Sequence, residues 1–443
     1  MVSTPRELAF KILLSAEKDS SRYIDDILGD VFTRHNPEQQ AKAWIMELVY
    51  GITRMRLKID LIIAHYFKGQ YHKSQHAVKV LLRLGVYQLM YMSTAKHAAI
   101  NETVNLARKV GHHRSAALIN AILRKVNSQG GEEMISSKLK GSQQVALQTS
   151  HPAWMLERWI ENYDFKAVEN LCEYNNRTPA VWVRRNVAKV PQAQFEQFLQ
   201  DNAIEFERST VIDSFYHLKS AAAIIQSQEF SSGWFSFQDL AAGMVASLVI
   251  PESGDSILDA CSAPGGKMAL IMEKYGSELE TMYAFDASSQ RLQKVKDTVE
   301  RLSLIKVEVD QKDASVDSLP GTNWTLLDVP CSGTGVLSRR PDARWKKQPG
   351  DIDSLQEIQI KILLNTWKHL QNNGRMIYAT CSLEPEENWE LIDAVIHRLK
   401  NARIEPILDE NLQAYVDERG ALSTLPWRDN MDGMFAVRLR KLS

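Results

Sequence analysis

Apolar residues recur every three or four positions along the first 128 residues, and strict alternation of apolar and polar residues is scarce there. This spacing predicts helices that each bury one face. Five segments carry it, with these apolar residues: Leu8, Ile12 and Leu13; Trp44, Leu48 and Ile52; Val78, Leu81, Leu82, Leu89 and Met90; Ile100, Val104 and Ala107; Leu118, Ile122 and Val126. Thr4-Pro5-Arg6-Glu7 is a helix start signal, because Thr suits the N-cap, Pro the first turn and Glu the third position. An all-α bundle is predicted, and it ends at Ser128-Gln129-Gly130-Gly131.

The pattern becomes mixed over residues 141–235. A helical period runs from His151 to Tyr174, whereas Ala180–Val187 ("AVWVRRNV") reads as a strand. Pro191 opens a short amphipathic helix, and a further strand pair is predicted around Phe206 and Phe215. These residues predict a small α+β module.

From about Gly233 onward, strand-like runs alternate with helical segments. The predicted strands are Ser256–Ala260, Thr281–Asp286, Lys306–Asp310, Trp324–Asp328 and Arg375–Thr380. The predicted helices are Met268–Tyr275, Ser289–Leu302, Ile352–Leu370 and Glu386–Leu399. This alternation predicts a mostly parallel, doubly wound sheet. Ligands of such sheets bind beyond the carboxyl ends of the strands, which is where the motifs described next lie.

The overall composition narrows the class of protein. A chain of 443 residues exceeds one usual hydrophobic core, so two or three domains are expected. No apolar run approaches the roughly 20 residues that span a bilayer, and the N-terminus lacks a secretory signal pattern. None of the four cysteines has C-x-x-C spacing, which argues against a zinc site or a thioredoxin-type site. We therefore expect a cytoplasmic protein with reduced thiols, no metal and no membrane partner.

Charge is unevenly distributed although the net charge is only −1. Residues 1–140 hold 21 Lys/Arg and 12 Asp/Glu, a balance of +9, whereas residues 141–235 carry −3 and the remainder −7. A basic front region is typical of a protein that meets an anionic partner such as nucleic acid. A solvated helical surface is the alternative, and charge alone does not separate the two.

A candidate cofactor site begins with "LDACSAPGGKMAL", which runs strand, glycine loop, helix. Gly265 and Gly266 remove Cβ atoms where backbone passes close to a ligand, and helix N-terminal amides follow. The loop is neither G-x-G-x-x-G nor a P-loop. Asp286 ends the next strand, where a carboxylate can accept hydrogen bonds from both ribose hydroxyls of an adenosine. Asp313 follows the third strand, where an acidic residue can reach the adenine amino group. This combination suits S-adenosylmethionine, with turn-forming residues as the alternative.

Two cysteines indicate the chemistry. Asp328, Pro330 and Cys331 follow the fourth predicted strand, and Cys381 follows the fifth. Carbon-5 of a pyrimidine becomes nucleophilic only after a thiolate adds to C6, so paired cysteines at neighbouring strand ends fit C5 methylation. Taken alone, Cys381 is more often a small buried residue than a nucleophile, and a metal ligand or half of a disulfide are further alternatives. Cys331 on the neighbouring strand favours a nucleophile.

Two supporting roles are predicted around these thiols. A helix N-terminus after Pro385 is predicted to stabilise the Cys381 thiolate. Asp328 is predicted to hydrogen-bond the edge of the base, with a strand-end cap as the alternative.

The motifs "DACSAPGGK", "DVPCSGTGV", "RRPDARW", "YATCSLEPEEN" and "DGMFAVRLRK" resemble those of the RNA cytosine-5 methyltransferase family, the NOL/NOP/Sun group. The resemblance implies that Cys381 is the nucleophile and that Cys331 assists product release, and Asp328 joins them as the third catalytic residue. DNA cytosine-5 methylases instead use the P-C cysteine as nucleophile, so this assignment rests on the resemblance. The implied S-adenosylmethionine-binding positions are Cys261, Ser262, Ala263, Pro264, Gly265, Gly266, Lys267, Asp286, Arg291, Asp313 and Asp328.

The front of the chain resembles a NusB-type RNA-binding bundle, and bacterial family members with such a bundle act on 16S rRNA. The resemblance implies three domains: a NusB-like helical domain (1–140), an RRM-like α+β module (141–235) and a Rossmann-like class I methyltransferase domain (236–443). Arg339, Arg340, Arg344 and Trp345 are predicted to contact the nucleic acid.

The expected function is methylation of carbon-5 of a cytosine in 16S rRNA, unassembled or partly assembled, by a monomer. Two alternatives stay open: the same chemistry on another RNA such as tRNA, and a non-catalytic RNA-binding factor in ribosome assembly.

Overall fold

The computed structural model describes residues 3–19, 21–131 and 140–443. Their contacts divide the chain into two compact units. Unit 1 consists of Met1–Thr178 and Leu337–Lys347, and unit 2 consists of Pro179–Val336 and Gln348–Ser443. The predicted domain boundaries after residues 140 and 235 stay predictions. Within these described ranges, no helix is both long enough and apolar enough to cross a bilayer.

Unit 1 is helical throughout its described part. Its helices are α1 Pro5–Lys18, α2 Ile24–His35, α3 Gln39–Arg54, α4 Arg56–Tyr66, α5 His76–Tyr91, α6 Lys96–Lys109, α7 Ala116–Gln129, α8 Ser142–Thr149, α9 Ala153–Asn162 and α10 Phe165–Asn176, with short helices at Tyr71–Lys73, His113–Ser115 and Ala343–Lys346. The start signal of α1 is confirmed, since Thr4 Oγ1 accepts a hydrogen bond from Glu7 N at 3.3 Å. Helices α1 to α7 pack around one continuous apolar core. The five predicted segments are α1, α3, α5, α6 and α7. Helices α2 and α4 were not predicted individually, although α4 buries Ile59, Ile62, Ile63 and Tyr66 at helical spacing.

Residues 337–347 belong to unit 1, and this placement corrects one prediction. Arg344 is completely buried and donates hydrogen bonds to Ser150 O (3.3 Å), Asn175 O (3.1 Å) and Asn176 Oδ1 (2.9 Å). Trp345 Nε1 donates to Thr53 O at 2.7 Å. The predicted contact of Arg344 with nucleic acid is therefore wrong, because its buried guanidinium already donates to oxygen atoms where α8 and α10 end. Trp345 is half-buried, and its predicted contact stays a prediction.

The two remaining arginines of this motif differ from Arg344. Arg340 is exposed and lies over the Tyr23 ring at 5.9 Å, and Arg339 is half-buried. Their predicted contact with nucleic acid stays a prediction.

Unit 2 begins with a small antiparallel sheet. Its strands are β1 Val181–Arg185, β2 Phe206–Arg208, β3 Phe215–Leu218 and β4 Phe235–Phe237, with helices α11 Gln192–Asp201 and Gln228–Ser231. The strand order is β2-β3-β1-β4, and an aromatic-rich core that includes Phe195, Tyr216 and Phe235 lies against the sheet. The predicted α+β module is confirmed over residues 181–237, whereas the predicted helical stretch from His151 to Tyr174 forms α9 and α10, which belong to unit 1.

The second sheet of unit 2 is mixed. Its strands are β5 Ser256–Asp259, β6 Thr281–Asp286, β7 Val307–Gln311, β8 Thr322–Asp328, β9 Leu370–Thr380, β10 Ala402–Ile404, β11 Leu422–Thr424 and β12 Met434–Lys441. Its helices are α12 Leu240–Ser247, α13 Gly266–Tyr275, α14 Ser289–Leu302, α15 Gly350–His369 and α16 Trp389–Val395, with short helices at Thr334–Val336, Pro385–Glu387, Ile396–Arg398, Glu410–Tyr415 and Pro426–Asp429. The strand order is β10-β12-β9-β8-β5-β6-β7, and β11 pairs with β12. The strands from β9 to β7 in this order are parallel, which confirms the predicted Rossmann-like sheet.

A buried ion pair links the two sheets of unit 2. Arg184 on β1 donates two hydrogen bonds to the carboxylate of Glu273 on α13, at 2.8 and 2.9 Å, and both side chains are 1% exposed. Arg184 Nη1 also donates to Gly266 O at 2.9 Å, in the glycine loop. A single arginine therefore fixes the small sheet to the start of helix α13.

We predict that Arg184→Met lowers the free energy of unfolding of unit 2 by about 3 to 5 kcal/mol, because it leaves the Glu273 carboxylate buried without its partner. Urea unfolding, monitored by hydrogen exchange of peptides from β5 and β6, measures the loss of unfolding free energy. The control is Lys219→Met, which removes an ion pair with Glu205 that is exposed on both sides. Equal stability of Arg184→Met and the wild type would contradict the prediction.

Candidate active site

The glycine loop connects the end of β5 to the start of α13. Ser262 N donates to Phe285 O on β6 at 2.8 Å, and Gly265 N donates back to Ser262 O at 2.5 Å, so the loop is a tight turn. Gly265 has a φ of +94°, a left-handed conformation that favours glycine. Gly266 is the first residue of α13, and Pro264 is exposed on the loop surface.

Buried polar atoms under this loop have the character of a ligand site. Ser262 Oγ and Asp259 Oδ1 are buried, and neither has a hydrogen-bond partner in the described part of the chain. Burial, with the nearby charge of Asp328, raises the pKa of Asp259 to about 7. Burial also raises the pKa of the half-buried Cys261. A polar cofactor that supplies hydrogen-bond partners fits these unpartnered atoms.

Asp286 and Arg291 meet the loop from β6 and α14. Asp286 is 3% exposed; its Oδ2 accepts from Ala263 N at 3.3 Å and its Oδ1 from Ser288 N at 2.9 Å. Arg291 donates to Ala263 O at 3.0 Å and lies 3.4 Å from Asp286 Oδ2. The structure thus brings three predicted cofactor-binding residues, Ala263, Asp286 and Arg291, into direct contact.

Asp313 lies in the turn that follows β7. Its side chain is exposed, and Oδ1 accepts hydrogen bonds from Ser315 N (2.9 Å) and Ser315 Oγ (2.6 Å). The carboxylate caps its own turn and makes no direct hydrogen bond to Asp286 or Ala263 among the bonds found in the described residues. Its predicted place beside an adenine stays a prediction.

Lys267 and Asp328 form an ion pair at the tip of β8. Lys267 Nζ donates to Asp328 Oδ2 at 2.6 Å, and the Asp328 side chain is 31% exposed. Burial alone would lower the pKa of Lys267, but the Asp328 carboxylate outweighs it, so the pKa is raised. The lysine is therefore a fixed positive charge beside a partly accessible carboxylate.

The two predicted reactive cysteines lie side by side. Strands β8 and β9 pair in parallel with Asp328 opposite Ala379, so the chain segments that follow them leave the sheet together. Cys331 Sγ lies 3.3 Å from Cys381 Sγ, and Cys381 N donates to Cys331 Sγ at 3.4 Å. The hydrogen bond with Cys381 and burial raise the pKa of Cys331 well above its usual value, so Cys331 is held as a thiol.

The segment after Cys381 corrects a second prediction. The predicted helix Glu386–Leu399 is wrong at its start: Pro385–Glu387 is a short 3-10 helix and α16 begins only at Trp389. Asn388, with φ −115° and ψ −113°, interrupts the helix. A short 3-10 helix therefore begins at Pro385 in place of the expected α-helix, and its effect on the Cys381 thiolate stays a prediction.

A buried carboxylate that the sequence interpretation missed lies directly before the interrupting residue. Glu387 is 0% exposed; its Oε1 accepts from Ser332 N at 2.8 Å, and its Oε2 accepts from Ser332 Oγ and from Ser382 Oγ, the latter at 2.5 Å. Asp259, under the glycine loop, was also missed. The signal for Glu387 was its place within "EPEEN", which begins three residues after Cys381, but an acidic run normally indicates a solvated surface.

Comparison with known families gives matches to all three parts of the chain. Residues 246–440 match the model of the 16S rRNA methyltransferase RsmB/F family. Residues 3–128 match the NusB family, and residues 151–224 match the ferredoxin-like domain of RsmF/B-like methyltransferases. The order of the matches is the predicted order of the domains.

Two curated relatives extend the similarity over nearly the whole chain. The probable ribosomal RNA small subunit methyltransferase B of Synechocystis is 30% identical and covers 98% of this chain and 99% of its own length. Ribosomal RNA small subunit methyltransferase B of Citrobacter koseri is 32% identical over 90% of this chain and 91% of its own. The chain belongs to the ribosomal RNA small subunit methyltransferase B family. The predicted resemblance is confirmed, and the chain is a methyltransferase with S-adenosylmethionine as its cofactor.

Solved structures support the fold. That of PH0851 has a TM-score of 0.84 at 20% identity and covers 100% of both chains. The structure of NSun6 from Pyrococcus horikoshii has a TM-score of 0.58 at 18% identity and covers 66% of this chain and 98% of its own. At these identities the similarity shows the architecture alone.

We predict that Asp259→Asn flattens the pH dependence of unfolding between about pH 4 and pH 7. A carboxyl with a higher pKa in the folded chain (about 7) than in the unfolded chain (about 3.9) favours folding when protonated, so stability falls as pH rises through this window. The amide carries no such charge. At pH 8 the variant is therefore more stable than the wild type by roughly 1 to 4 kcal/mol, with no gain at pH 4.

Urea unfolding of unit 2 at each pH measures this difference. Asp310→Asn, the same change at an exposed position of β7, is the matched control. Identical slopes for Asp259→Asn and the wild type across pH 4 to 7 would contradict the assigned pKa.

Proposed function

We propose that this family member methylates carbon-5 of a cytosine in 16S rRNA through a transient covalent bond from Cys381 to C6 of the base. The observation that carries the proposal is the 3.3 Å separation of the Cys331 and Cys381 sulfur atoms, beside the Lys267–Asp328 pair. The names of the relatives support an rRNA substrate, and the paired thiols support a C5 target.

The chemistry needs two sulfur atoms in different roles. The Cys381 thiolate adds to C6, and the electron pair of the C5–C6 double bond becomes available at C5. The cofactor, when bound, would supply an electrophilic methyl group, so that a C5–CH3 bond forms, the S–CH3 bond breaks and its electron pair stays on the sulfur of the departing S-adenosylhomocysteine. A base then takes the C5 proton, the C5–C6 double bond re-forms, and the Cys381 sulfur leaves with its electron pair. Cys331, held as a thiol at 3.3 Å, is placed to assist this release rather than to compete as nucleophile.

We assign Asp328 and Lys267 to binding the cytosine ring of the substrate. The Asp328 Oδ2 atom is bound by Lys267, so its Oδ1 is the atom that accepts a hydrogen bond from the cytosine amino group. The ammonium of Lys267 balances the charge of the carboxylate, so that the pair presents a fixed dipole as charge develops on the ring. Partial exposure of Asp328 leaves it within reach of a substrate.

The glycine loop and the strand ends beside it are assigned to the cofactor. Ser262 and Asp259 offer unpartnered polar atoms, and Asp286 is held against the loop by Ala263 N. Asp286 is proposed to bind the ribose hydroxyls, and Asp313 the adenine amino group. These roles place the methyl donor next to the end of β8.

The RNA must present a single unstacked cytosine to this site. Turning a base out of structured RNA costs roughly a few kcal/mol, so a loop or a partly assembled rRNA is the favoured substrate. Residues 1–140, with a charge balance of +9, supply the electrostatic attraction for the phosphate backbone.

We predict that Cys381→Ala abolishes methyl transfer from labelled S-adenosylmethionine to unmodified 16S rRNA, because it removes the sulfur atom that adds to C6. Incorporation should fall by at least about a thousandfold, as expected on loss of a nucleophile. Cys172→Ala, the same change at a cysteine buried in α10, should retain transfer. Equal incorporation by Cys381→Ala and the wild type would reject Cys381 as nucleophile. Transfer to tRNA in place of 16S rRNA would redirect the substrate assignment.

A second prediction concerns Cys331→Ala. Without the second thiol the covalent intermediate is released slowly, so a denaturation-resistant adduct between protein and RNA should accumulate with the cofactor present. Gel electrophoresis under denaturing conditions detects the adduct, and the double change Cys331→Ala/Cys381→Ala should remove it. An adduct that survives in the double variant would assign the bond to another residue.

A further inference from the structure

Glu387 binds the residue that follows each reactive cysteine. Ser332 comes directly after Cys331, and Ser382 directly after Cys381. Three hydrogen bonds from these two serines end on the Glu387 carboxylate, and a fourth comes from Gln359 Nε2 at 2.9 Å. One buried side chain therefore ties together the two loops that carry the sulfur atoms.

Glu387 is itself fixed from two other elements. Gln359 on α15 also donates to Pro330 O at 2.9 Å, and Tyr378 on β9 donates its hydroxyl to Glu387 O at 2.7 Å. All three side chains are buried. The carboxylate consequently has a defined position relative to the ends of both strands.

Only a carboxylate satisfies this arrangement. It accepts four hydrogen bonds with two oxygens, whereas the nitrogen of a glutamine amide can only donate. No ion pair found among the described residues involves Glu387, so hydrogen-bond donors alone stabilise its buried charge. A neutral glutamine side chain would fit the same space. A buried charge at this position therefore indicates that both the charge and the length of the Glu387 side chain have a function.

We propose that Glu387 is a positioning residue that sets the separation of the two sulfur atoms by holding both loops; this inference rests on the proposed function. Its charge has a second effect. The titratable groups around Cys331 are Cys381, Glu387, Asp328 and Tyr378. The hydrogen bond with Cys381 and burial raise the pKa of Cys331 most, and the nearby charges of Cys381 and then Glu387 raise it further. Glu387 thereby adds to the effects that keep Cys331 in the thiol form.

The test compares Glu387→Gln with Glu387→Asp in the full chain. Glu387→Gln keeps the length of the side chain but removes its charge and one acceptor oxygen. Glu387→Asp keeps the charge, but the shorter side chain no longer reaches one of the two loops. Both should lower kcat for methyl transfer to 16S rRNA about 10- to 100-fold, as expected for loss of hydrogen bonds to a charged group. The Kd for S-adenosylmethionine, from calorimetry, and the KM for RNA should stay within about twofold. Glu390→Gln, at an exposed position of α16, is the matched control and should keep wild-type kinetics.

A second readout does not depend on the RNA reaction. The pH midpoint for alkylation of Cys331 by iodoacetamide, measured by mass spectrometry, should move to lower pH in Glu387→Gln and stay near that of the wild type in Glu387→Asp. Wild-type kcat in both variants, or a loss of cofactor binding equal to the loss of kcat, would overturn the inference. An unchanged Cys331 midpoint in Glu387→Gln would overturn the charge effect. If Cys331→Ala formed no adduct while Glu387→Gln still lowered the pH midpoint for alkylation of Cys331, the proposed function alone would be rejected.

Discussion

The parallel pairing of β8 with β9 is the constraint on which the active site depends. Backbone hydrogen bonds set Asp328 opposite Ala379, and the two cysteines follow within three residues of that register. Because adjacent strands lie about 4.8 Å apart, side chains just beyond their ends meet without any long-range adjustment. The 3.3 Å distance between the sulfur atoms follows from this pairing together with the bridge made by Glu387.

Burial and neighbouring charges together set the protonation of the ionisable side chains at the same edge of the sheet. Asp259, Asp328 and Lys267 lie at the ends of β5 and β8 and at the start of α13, and each perturbs the ionisation of a neighbour. The pKa of Asp259 rises because its carboxylate would be buried next to another, while Lys267 keeps its proton because Asp328 is bound to it. Perturbed groups of this kind cluster where a site must hold charge in place before a substrate arrives.

The polar interior of unit 1 has a different purpose. Arg344 belongs to the motif "RRPDARW", which follows the Cys331 segment in the sequence. Its guanidinium nevertheless donates hydrogen bonds to oxygen atoms where α8 and α10 end. Within the described residues no ion pair with a carboxylate is found for Arg344, so its buried charge is costly, and burial lowers its pKa to about 9. Its hydrogen bonds join residues 337–347 to the helical unit, so this stretch of the catalytic sequence belongs to the fold of unit 1.

The sequence by itself determined the helical front, the α+β module, the Rossmann-like sheet and the cofactor class, because periodicity and glycine-loop spacing are local features. It also placed Cys331 and Cys381 at strand ends. Only the tertiary structure decided that Glu387 turns inward to bind Ser332 and Ser382, and that Arg344 is buried. The physical reason is that a charged residue shows in sequence only its charge, whereas burial depends on hydrogen-bond donors and acceptors brought from distant segments.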